Sequence, residues 1–442
     1  MSRVRKQLTS SRIIILGFAA VILLGMLLLM LPVSTHDGEG ASLADALFTS
    51  TSAVCVTGLV VRDTATYWSS FGQMVILLLI QIGGLGVVTI AMLLSLISGK
   101  RISLKQRSTM QESIAAPGVG GIVRLTGFAV RMTILFELAG ALMMAPVFCR
   151  DFGVWKGIWY SLFHAVSAFC NAGFDLMGVR TPYSSLTDYA GNPVINLTVM
   201  ALIVIGGLGF MTWDDVKKHG LSLRRYRMQS KVVFSMTGLL IVLAAGYYFF
   251  FEFDDVPLDK RVWYALFQSV TPRTAGFNTA DLTLLSETGL AVMIILMLTG
   301  GSPGSTAGGM KTTTLAVMLS TAVSVFRRRH HTLFFGRRID DETVRSASTI
   351  LMMYLMLFVI GGLIISRIEN LPLLVCLFET ASAVGTVGLT LGITPGLSMA
   401  SKAILVLLMF MGRVGGLTLV FAALSSGKNN AACYPLEHMT VG

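Results

Sequence analysis

Four short glycine-containing stretches hold the residues best suited to chemistry in this sequence. They are SAVCVTGL (Ser52–Leu59), SAFCNAGF (Ser167–Phe174), TPRTAGFN (Thr271–Asn278) and SAVGTVGL (Ser382–Leu389). Each places small or hydroxyl-bearing residues ahead of one glycine: Val56-Thr57-Gly58, Asn171-Ala172-Gly173, Thr274-Ala275-Gly276 and Thr386-Val387-Gly388. Glycine permits backbone conformations that a side chain forbids. Its neighbours can then turn carbonyl oxygens toward a common axis. Rings of such oxygens replace the hydration shell of a bare monovalent cation. No carboxylate stands at any of the four glycines, whereas a divalent-cation pore would be expected to use a carboxylate ring there. Asp175 and Asp281 follow two of the glycines, where they could concentrate cations at an outer mouth or simply be solvated.

Such loops need elements to hold them. Eight apolar stretches are long enough to span a bilayer: Ile13–Leu31, Phe71–Ser98, Leu125–Phe148, Val194–Trp213, Val232–Phe251, Thr288–Phe326, Ser346–Ser366 and Ala403–Ser426. Between the members of each successive pair lies a shorter apolar piece: LADALFTSTSAV, WYSLFHAVSAF, WYALFQSV or LLVCLFETASAV. These are too short to cross a hydrocarbon core of about 30 Å as helices and suit re-entrant segments. The short pieces align on Phe48, Phe163, Phe267 and Phe378, and Gly58, Gly173, Gly276 and Gly388 then follow at nearly constant offsets. The expected fold is therefore an all-α polytopic membrane protein of four pseudo-symmetric helix, pore-loop, helix repeats around one central pore. It has eight transmembrane helices and four re-entrant pore helices. The repeats cover 8–98, 121–216, 231–326 and 346–426, followed by a short tail, 427–442. Pore helices entering from outside aim their partly negative C-terminal ends at the membrane centre, which favours a cation there. The second span of each pair carries a small-residue cluster: GGLG at 83–86 and 206–209, GGSPG at 300–304 and GRVGG at 412–416. Close helix packing is the plainer reading of these glycines.

The bulk composition agrees. Of 442 residues, 54% are hydrophobic and 13% are charged, against about a quarter charged in soluble domains. The net charge of +11 does not indicate nucleic acid, because the basic residues fall in loops between spans. Lys100, Arg101, Lys105 and Arg107, then Lys217, Lys218, Arg224, Arg225 and Arg227, then Arg327–Arg329, Arg337 and Arg338 mark three cytoplasmic loops. Both termini are accordingly expected in the cytoplasm. His330 and His331 sit in a basic loop and suggest no metal site; the five cysteines form no C-x-x-C pair. No H-E-x-x-H, G-x-S-x-G or paired intramembrane aspartates suggest an enzyme.

The sixth apolar stretch is anomalous. As one helix, Thr288–Phe326 would be about 58 Å long. Pro303 and the glycines of TGGSPGSTAGGMKTTT (Thr299–Thr314) are expected to break it into two pieces joined by an irregular linker. Gly304, Gly309, Lys311 and Thr312 nearly spell a phosphate-binding loop, but Met310 intervenes and no strand precedes it, so no nucleotide is expected on this chain. Arg413 lies mid-span in LLMFMGRVGGLTLV, where a charge is costly and a functional role is the default reading. It could form an electrostatic barrier below a cation filter, or a salt bridge with Glu137 or Glu379.

Thr386-Val387-Gly388-Leu389 looks like a truncated K⁺-channel filter signature. The four-unit pattern resembles the Trk/Ktr/HKT superfamily of potassium transporters, and within it the KtrB-type bacterial membrane subunits. The resemblance implies K⁺ uptake across the bacterial cell membrane, with K⁺ bound at the filter carbonyls. In the family, glycine at all four positions goes with K⁺ preference, and serine in the first loop with Na⁺ transport. Na⁺ as an activating or coupled ion is known in the family, and no residue here is assigned to it. The resemblance also implies an intramembrane gate, here Gly300, Gly301, Ser302, Pro303, Gly304, Ser305, Thr306, Ala307, Gly308 and Gly309 with Lys311, together with Arg413. It implies a homodimer in the lipid bilayer, with the C-terminal tail at the dimer interface. A separate cytosolic regulatory ring of RCK type (KtrA-like), sensing ATP and ADP, is implied as partner. The alternative is a secondary transporter of a small solute that binds at a discontinuous helix around GGSPGS. It would predict a two-fold inverted repeat rather than a four-fold parallel one.

Overall fold

The computed structural model describes residues 9–97, 102–114, 118, 120–220, 222–415 and 418. The expected tail 427–442, most of the eighth span beyond Gly415, Lys100, Arg101 and the first eight residues lie outside these described residues.

One succession of elements recurs four times. The first unit holds α1 (Ser10–Leu29), the short pore helix α2 (Leu43–Val54), α3 (Ser70–Leu85) and α4 (Val87–Ile97). A connector between the first two units carries α5 (Leu104–Ile114). The second unit holds α6 (Ile122–Phe152), pore helix α7 (Val154–Phe169), α8 (Pro193–Leu208) and α9 (Phe210–His219). The third has α10 (Met228–Tyr247), pore helix α11 (Leu258–Val270), α12 (Glu287–Leu298) and α13 (Thr312–Phe326). A small antiparallel hairpin, β1 (Leu333–Phe334) with β2 (Arg337–Arg338), leads to the fourth: α14 (Asp341–Glu369), pore helix α15 (Leu373–Gly385) and α16 (Met399–Val414). The chain is a polytopic helical membrane protein. The opening helix of every unit is long and apolar enough to cross a bilayer. Their outward leucines and valines, such as Leu24, Leu142 and Val242, are exposed on the molecular surface, as a lipid-facing wall requires.

The helix that follows each pore loop begins on a side-chain cap. Ser69, Asn192, Ser286 and Ser398 accept from backbone N–H groups of the first turn, which otherwise lack partners. In the third and fourth units that cap is tied to the preceding span: Glu252 accepts from Ser286 Oγ (2.6 Å), and Glu369 from Ser398 Oγ (2.5 Å).

Two features differ from the sequence expectation. The basic loop after the second span folds in part into α5, whose Glu112 accepts from Ser11 Oγ of α1 at 2.6 Å. Discontinuity is also not special to the sixth span. The second and fourth spans bend by 96° at Gly86 and Gly209, and α16 stops at Gly415. These three glycines share one conformation, with φ/ψ of 88°/132°, 93°/144° and 87°/131°. That region is closed to side chains. The glycine clusters therefore end helices as well as letting them pack. They do also pack: Gly83, Gly206 and Gly412 lie directly on the carbonyls of Val54, Phe169 and Val384, at the ends of their own pore helices.

Candidate ion-conduction site

Each pore helix delivers its loop in the same way. The amide N–H groups of Thr57, Ala172 and Val387 donate to the carbonyls of Ser52, Ser167 and Ser382 at 2.8 Å, and Ala275 donates to Thr271 at 3.0 Å. The side-chain hydroxyls of those same four residues hold the loop beyond. Ser52 and Ser382 accept from the N–H of Gly58 (3.1 Å) and Gly388 (3.0 Å). Ser167 and Thr271 donate to the carbonyls of Phe174 (2.7 Å) and Phe277 (2.6 Å). Sequence reasoning gave these four hydroxyls no role. The signal was present as the recurring Ser/Thr that opens each quoted stretch. In the third unit, where the loop is one residue shorter, Thr271 sits one position nearer the glycine.

The loops have a shared backbone signature. Val56, Asn171, Thr274 and Thr386 have φ of 56°, 58°, 73° and 51°, and Gly58, Gly173, Gly276 and Gly388 have φ of 90°, 69°, 81° and 94°. A left-handed residue, an ordinary residue and a left-handed glycine thus follow one another in all four. Alternating the sign of φ turns successive carbonyls to the same side instead of opposite sides. Holding β-branched Val56, Thr274 and Thr386 in the left-handed region costs of order 1–3 kcal/mol each, which the buried surroundings must offset. All eight non-glycine loop residues are buried, none more than 1% exposed.

The glycines close a ring. A Cβ on Gly58 would meet the carbonyl oxygen of Ala172, one on Gly173 that of Ala275, one on Gly276 that of Val387, and one on Gly388 that of Thr57, all inside 3.0 Å. The four loops therefore meet around a single axis in the order first, second, third, fourth. Above the ring lies a cavity of about 350 Å³ lined by all four glycines and by Asp63, Asp175 and Asp281. Asp63, which sequence reasoning passed over, accepts from the N–H groups of Ala65, Thr66 and Tyr183 and shapes the rim. Asp175 lies beside it, outside the spanning helices. Burial, with the nearby Asp63 carboxylate adding to it, pushes the Asp175 carboxyl up to about 7.

Beneath the ring runs the linker Thr299–Lys311, between α12 and α13. It presses against three of the loops from below. Asn171 Nδ2 donates to Thr306 Oγ1 (3.1 Å), Gly308 abuts the Thr386 side chain, and Gly300 faces Thr274 Cγ2. Backbone bonds stitch the linker to the second unit, Ser302 N–H to Gly207 O (2.9 Å) and Phe210 N–H to Gly304 O (2.8 Å), and to the fourth, Gly309 N–H to Gly412 O (3.3 Å). A second cavity, of about 220 Å³, lies on the linker side of the ring and is lined by Pro303, Gly304, Ser305, Ala307, Gly309, Lys311 and Arg413.

Among the described residues, Arg413 is held by carbonyls and by no carboxylate. Nη1 donates to Thr306 O of the linker at 2.5 Å, and Nη2 to Gly83 O and, at 3.1 Å, to Gly84 O at the bend after α3. Neither Glu137 nor Glu379 is its partner. Glu137 accepts from Gln81 Nε2 at 3.3 Å, and Glu379 accepts from Thr390 and Thr394. Lys311 Nζ donates to Ala307 O (2.9 Å) and Gly308 O (3.3 Å), closing the linker on itself. Arg273, one residue before Thr274, points instead toward α10, where Nη2 donates to Thr237 Oγ1 at 3.1 Å. Asn196, in a glycosylation-like sequon, is buried with Nδ2 on the carbonyls of Tyr189, Ala190 and Asn192.

Known proteins share both sequence and fold with this chain. A solved structure, the potassium transporter TrkH from Vibrio parahaemolyticus, superposes with a TM-score of 0.73 over 95% of this chain and 86% of that one, at 17% identity. Two relatives match along nearly their whole length. The potassium/sodium uptake protein NtpJ of Enterococcus hirae is 40% identical over 451 residues, covering 100% of this chain and 99% of that protein. The Ktr system potassium uptake protein B of Bacillus subtilis is 38% identical over 428 residues, covering 96% and 94%. The family model described as TrkH, cation transport protein, matches residues 9–238 and 227–432. With a family match over most of its length and relatives at this identity, the chain belongs to the TrkH family of cation transport proteins.

Proposed function

We propose that the chain carries K⁺ into the cell through a filter of backbone carbonyls supplied by Val56–Gly58, Asn171–Gly173, Thr274–Gly276 and Thr386–Gly388. The observation that carries this reading is the closed ring, in which each loop glycine faces the carbonyl just before the next loop's glycine. Four matched loops that alternate left-handed and ordinary residues form stacked oxygens around one axis, the arrangement suited to a dehydrated alkali ion. Side-chain oxygens of Asn171, Thr274 and Thr386, buried with no hydrogen-bond partner among the described residues, are further cation ligands at the inner end. The names of the relatives, potassium/sodium uptake protein and Ktr system potassium uptake protein, support the same ion. K⁺ would move down its electrochemical gradient, gaining about 2.3 kcal/mol per charge per 100 mV of inside-negative potential.

Four units, 8–98, 121–216, 231–326 and 346–426, surround the path. The linker 299–311 acts as the gate, with Arg413 fastening it to the bend after α3. The guanidinium adds a positive charge below the filter, so a cation passes only once the linker and Arg413 have moved together. Both termini lie on the cytoplasmic side of a bacterial membrane. The Ktr system name of one relative supports a multi-component assembly. Under this reading two copies of the chain sit on a cytosolic nucleotide-binding ring whose movements displace the linker, and Na⁺ acts as an accompanying ion. The solute-transporter alternative gains no support, because the linker hydroxyls are already used inside the protein: Ser305 Oγ donates to Ser302 O (2.6 Å) and Thr306 Oγ1 to Phe169 O (2.9 Å).

The test is rubidium uptake into K⁺-deficient cells that produce either the wild type or Gly388→Ser. The proposal expects uptake from the former and its loss in the latter; undiminished uptake by the variant rules out the filter assignment.

A further inference from the structure

The residue after the aligning phenylalanine of each pore helix is polar and buried: Thr49, His164, Gln268 and Glu379. In three units it reaches across to the chain leaving its own loop. His164 Nε2 accepts from Leu176 N–H at 3.3 Å, while Nδ1 lies 2.7 Å from Tyr160 O on its own helix. Gln268 Nε2 lies 3.5 Å from both Asn278 Oδ1 and Thr279 Oγ1. Glu379 makes the strongest of the three links. Its Oε2 accepts from Thr390 Oγ1 at 2.9 Å and its Oε1 from Thr394 Oγ1, and the two hydroxyl oxygens are 3.0 Å apart. Thr390 Oγ1 in turn accepts from Gly392 N–H at 3.0 Å. In the first unit the corresponding link is a salt bridge, Arg62 Nε to Asp45 Oδ2 at 3.0 Å, between the exit strand and α2.

We propose that Glu379 is a positioning residue for ion selection: from behind the fourth loop it fixes the exit strand against α15, and His164 and Gln268 do the same for loops two and three. The inference rests on the filter reading above. Its physical basis is that each loop is fixed at both ends. The hydroxyl of Ser382 anchors Gly388 from the entry side, and Glu379 anchors the chain two residues beyond it. Where a carbonyl ring discriminates by cavity size, its oxygens must not follow the smaller ion inward. Because Glu379 contributes two bonds and is fully buried, the fourth loop is the most firmly clamped of the three.

The test uses the full chain reconstituted in liposomes and reads rubidium influx against competing sodium, with size-exclusion elution as a check of folding. Glu379→Ala and, independently, the double variant Thr390→Val with Thr394→Val should each lower selectivity for rubidium over sodium by about tenfold, within the range expected when a buried hydrogen-bonding group loses its partner. Glu379→Gln keeps the shape and one acceptor, and it should restore most of that selectivity. Retention of wild-type selectivity by the folded double threonine variant overturns the proposal, even if Glu379→Ala does not fold. A selective wild type with unaltered variants removes only this inference. A wild type that does not discriminate between the two ions removes the filter reading itself.

Discussion

Gly388 faces the carbonyl of Thr57, so the last loop of the chain closes on the first. The two residues are 331 positions apart in sequence, yet this contact repeats the one each earlier loop makes with its successor. A ring closed in this way has no position at which a side chain can be added without displacing a neighbour's backbone.

All four glycines are therefore expected to be equally intolerant. Alanine at Gly58, Gly173, Gly276 or Gly388 combines a disfavoured positive φ with a backbone collision. At about 1–3 kcal/mol for the φ term alone, rubidium uptake should fall at least tenfold in every case. Uptake assays on the four single variants check this. Tolerance at one position would mean that its loop stands apart from the ring.

Arg413 bridges the linker to the bend after α3 through carbonyls of Thr306, Gly83 and Gly84. Arg413→Ala should free the linker and raise basal rubidium flux from liposomes, by at least tenfold for the loss of charge-assisted bonds of about 1.5–3 kcal/mol. Arg413→Lys should behave more like the alanine variant, because an ammonium cannot reproduce a planar fork across carbonyls on two segments. Fluxes equal to wild type in both variants would reduce Arg413 to a structural role.

With the cavity above the ring on the outer side, as proposed, uptake should be sensitive to external pH. The Asp175 carboxyl, pushed up to about 7, is charged above that value and neutral below it. As external pH falls through this range, the vestibule loses a negative charge and the KM for rubidium should rise, with a smaller effect at saturating ion. Asp175→Asn should show the high KM at every pH and a flattened profile. A wild-type profile in that variant would assign the titration elsewhere.

The hydroxyl anchors can be tested one at a time. Ser382→Ala leaves the N–H of Gly388 without its acceptor in a buried position, a loss of about 1–3 kcal/mol. Thermal unfolding in detergent should shift downward and rubidium affinity should weaken, while Ser382→Thr should retain most of both. An unchanged melting temperature and affinity in Ser382→Ala would show the hydroxyl to be dispensable.

The sequence revealed the parts of this design that are written as local repeats. Hydrophobic length marks the spans, the offset from Phe48, Phe163, Phe267 and Phe378 marks the loop glycines, and Pro303 with its flanking glycines marks the linker. What it concealed depends on contacts between distant segments. Gly86, Gly209 and Gly415 look the same in sequence whether they pack helices or end them; only their shared backbone conformation distinguishes the two. For Arg413 the conspicuous partners in a sequence are carboxylates. Its real partners are main-chain carbonyls freed where helices break, and these carry no residue signature. Glu379 likewise meets threonines placed after its loop, a pairing that follows only once α15 and the exit strand lie side by side.

The central claim concerns where the ion sits. An experimental structure of the protein in rubidium or thallium, with anomalous scattering used to locate the heavy ion, tests it directly. Ion density on the axis, between the carbonyls of Thr57, Ala172, Ala275 and Val387, is the predicted result. Ions found only in the outer cavity or along the linker, with none inside the ring, would contradict it.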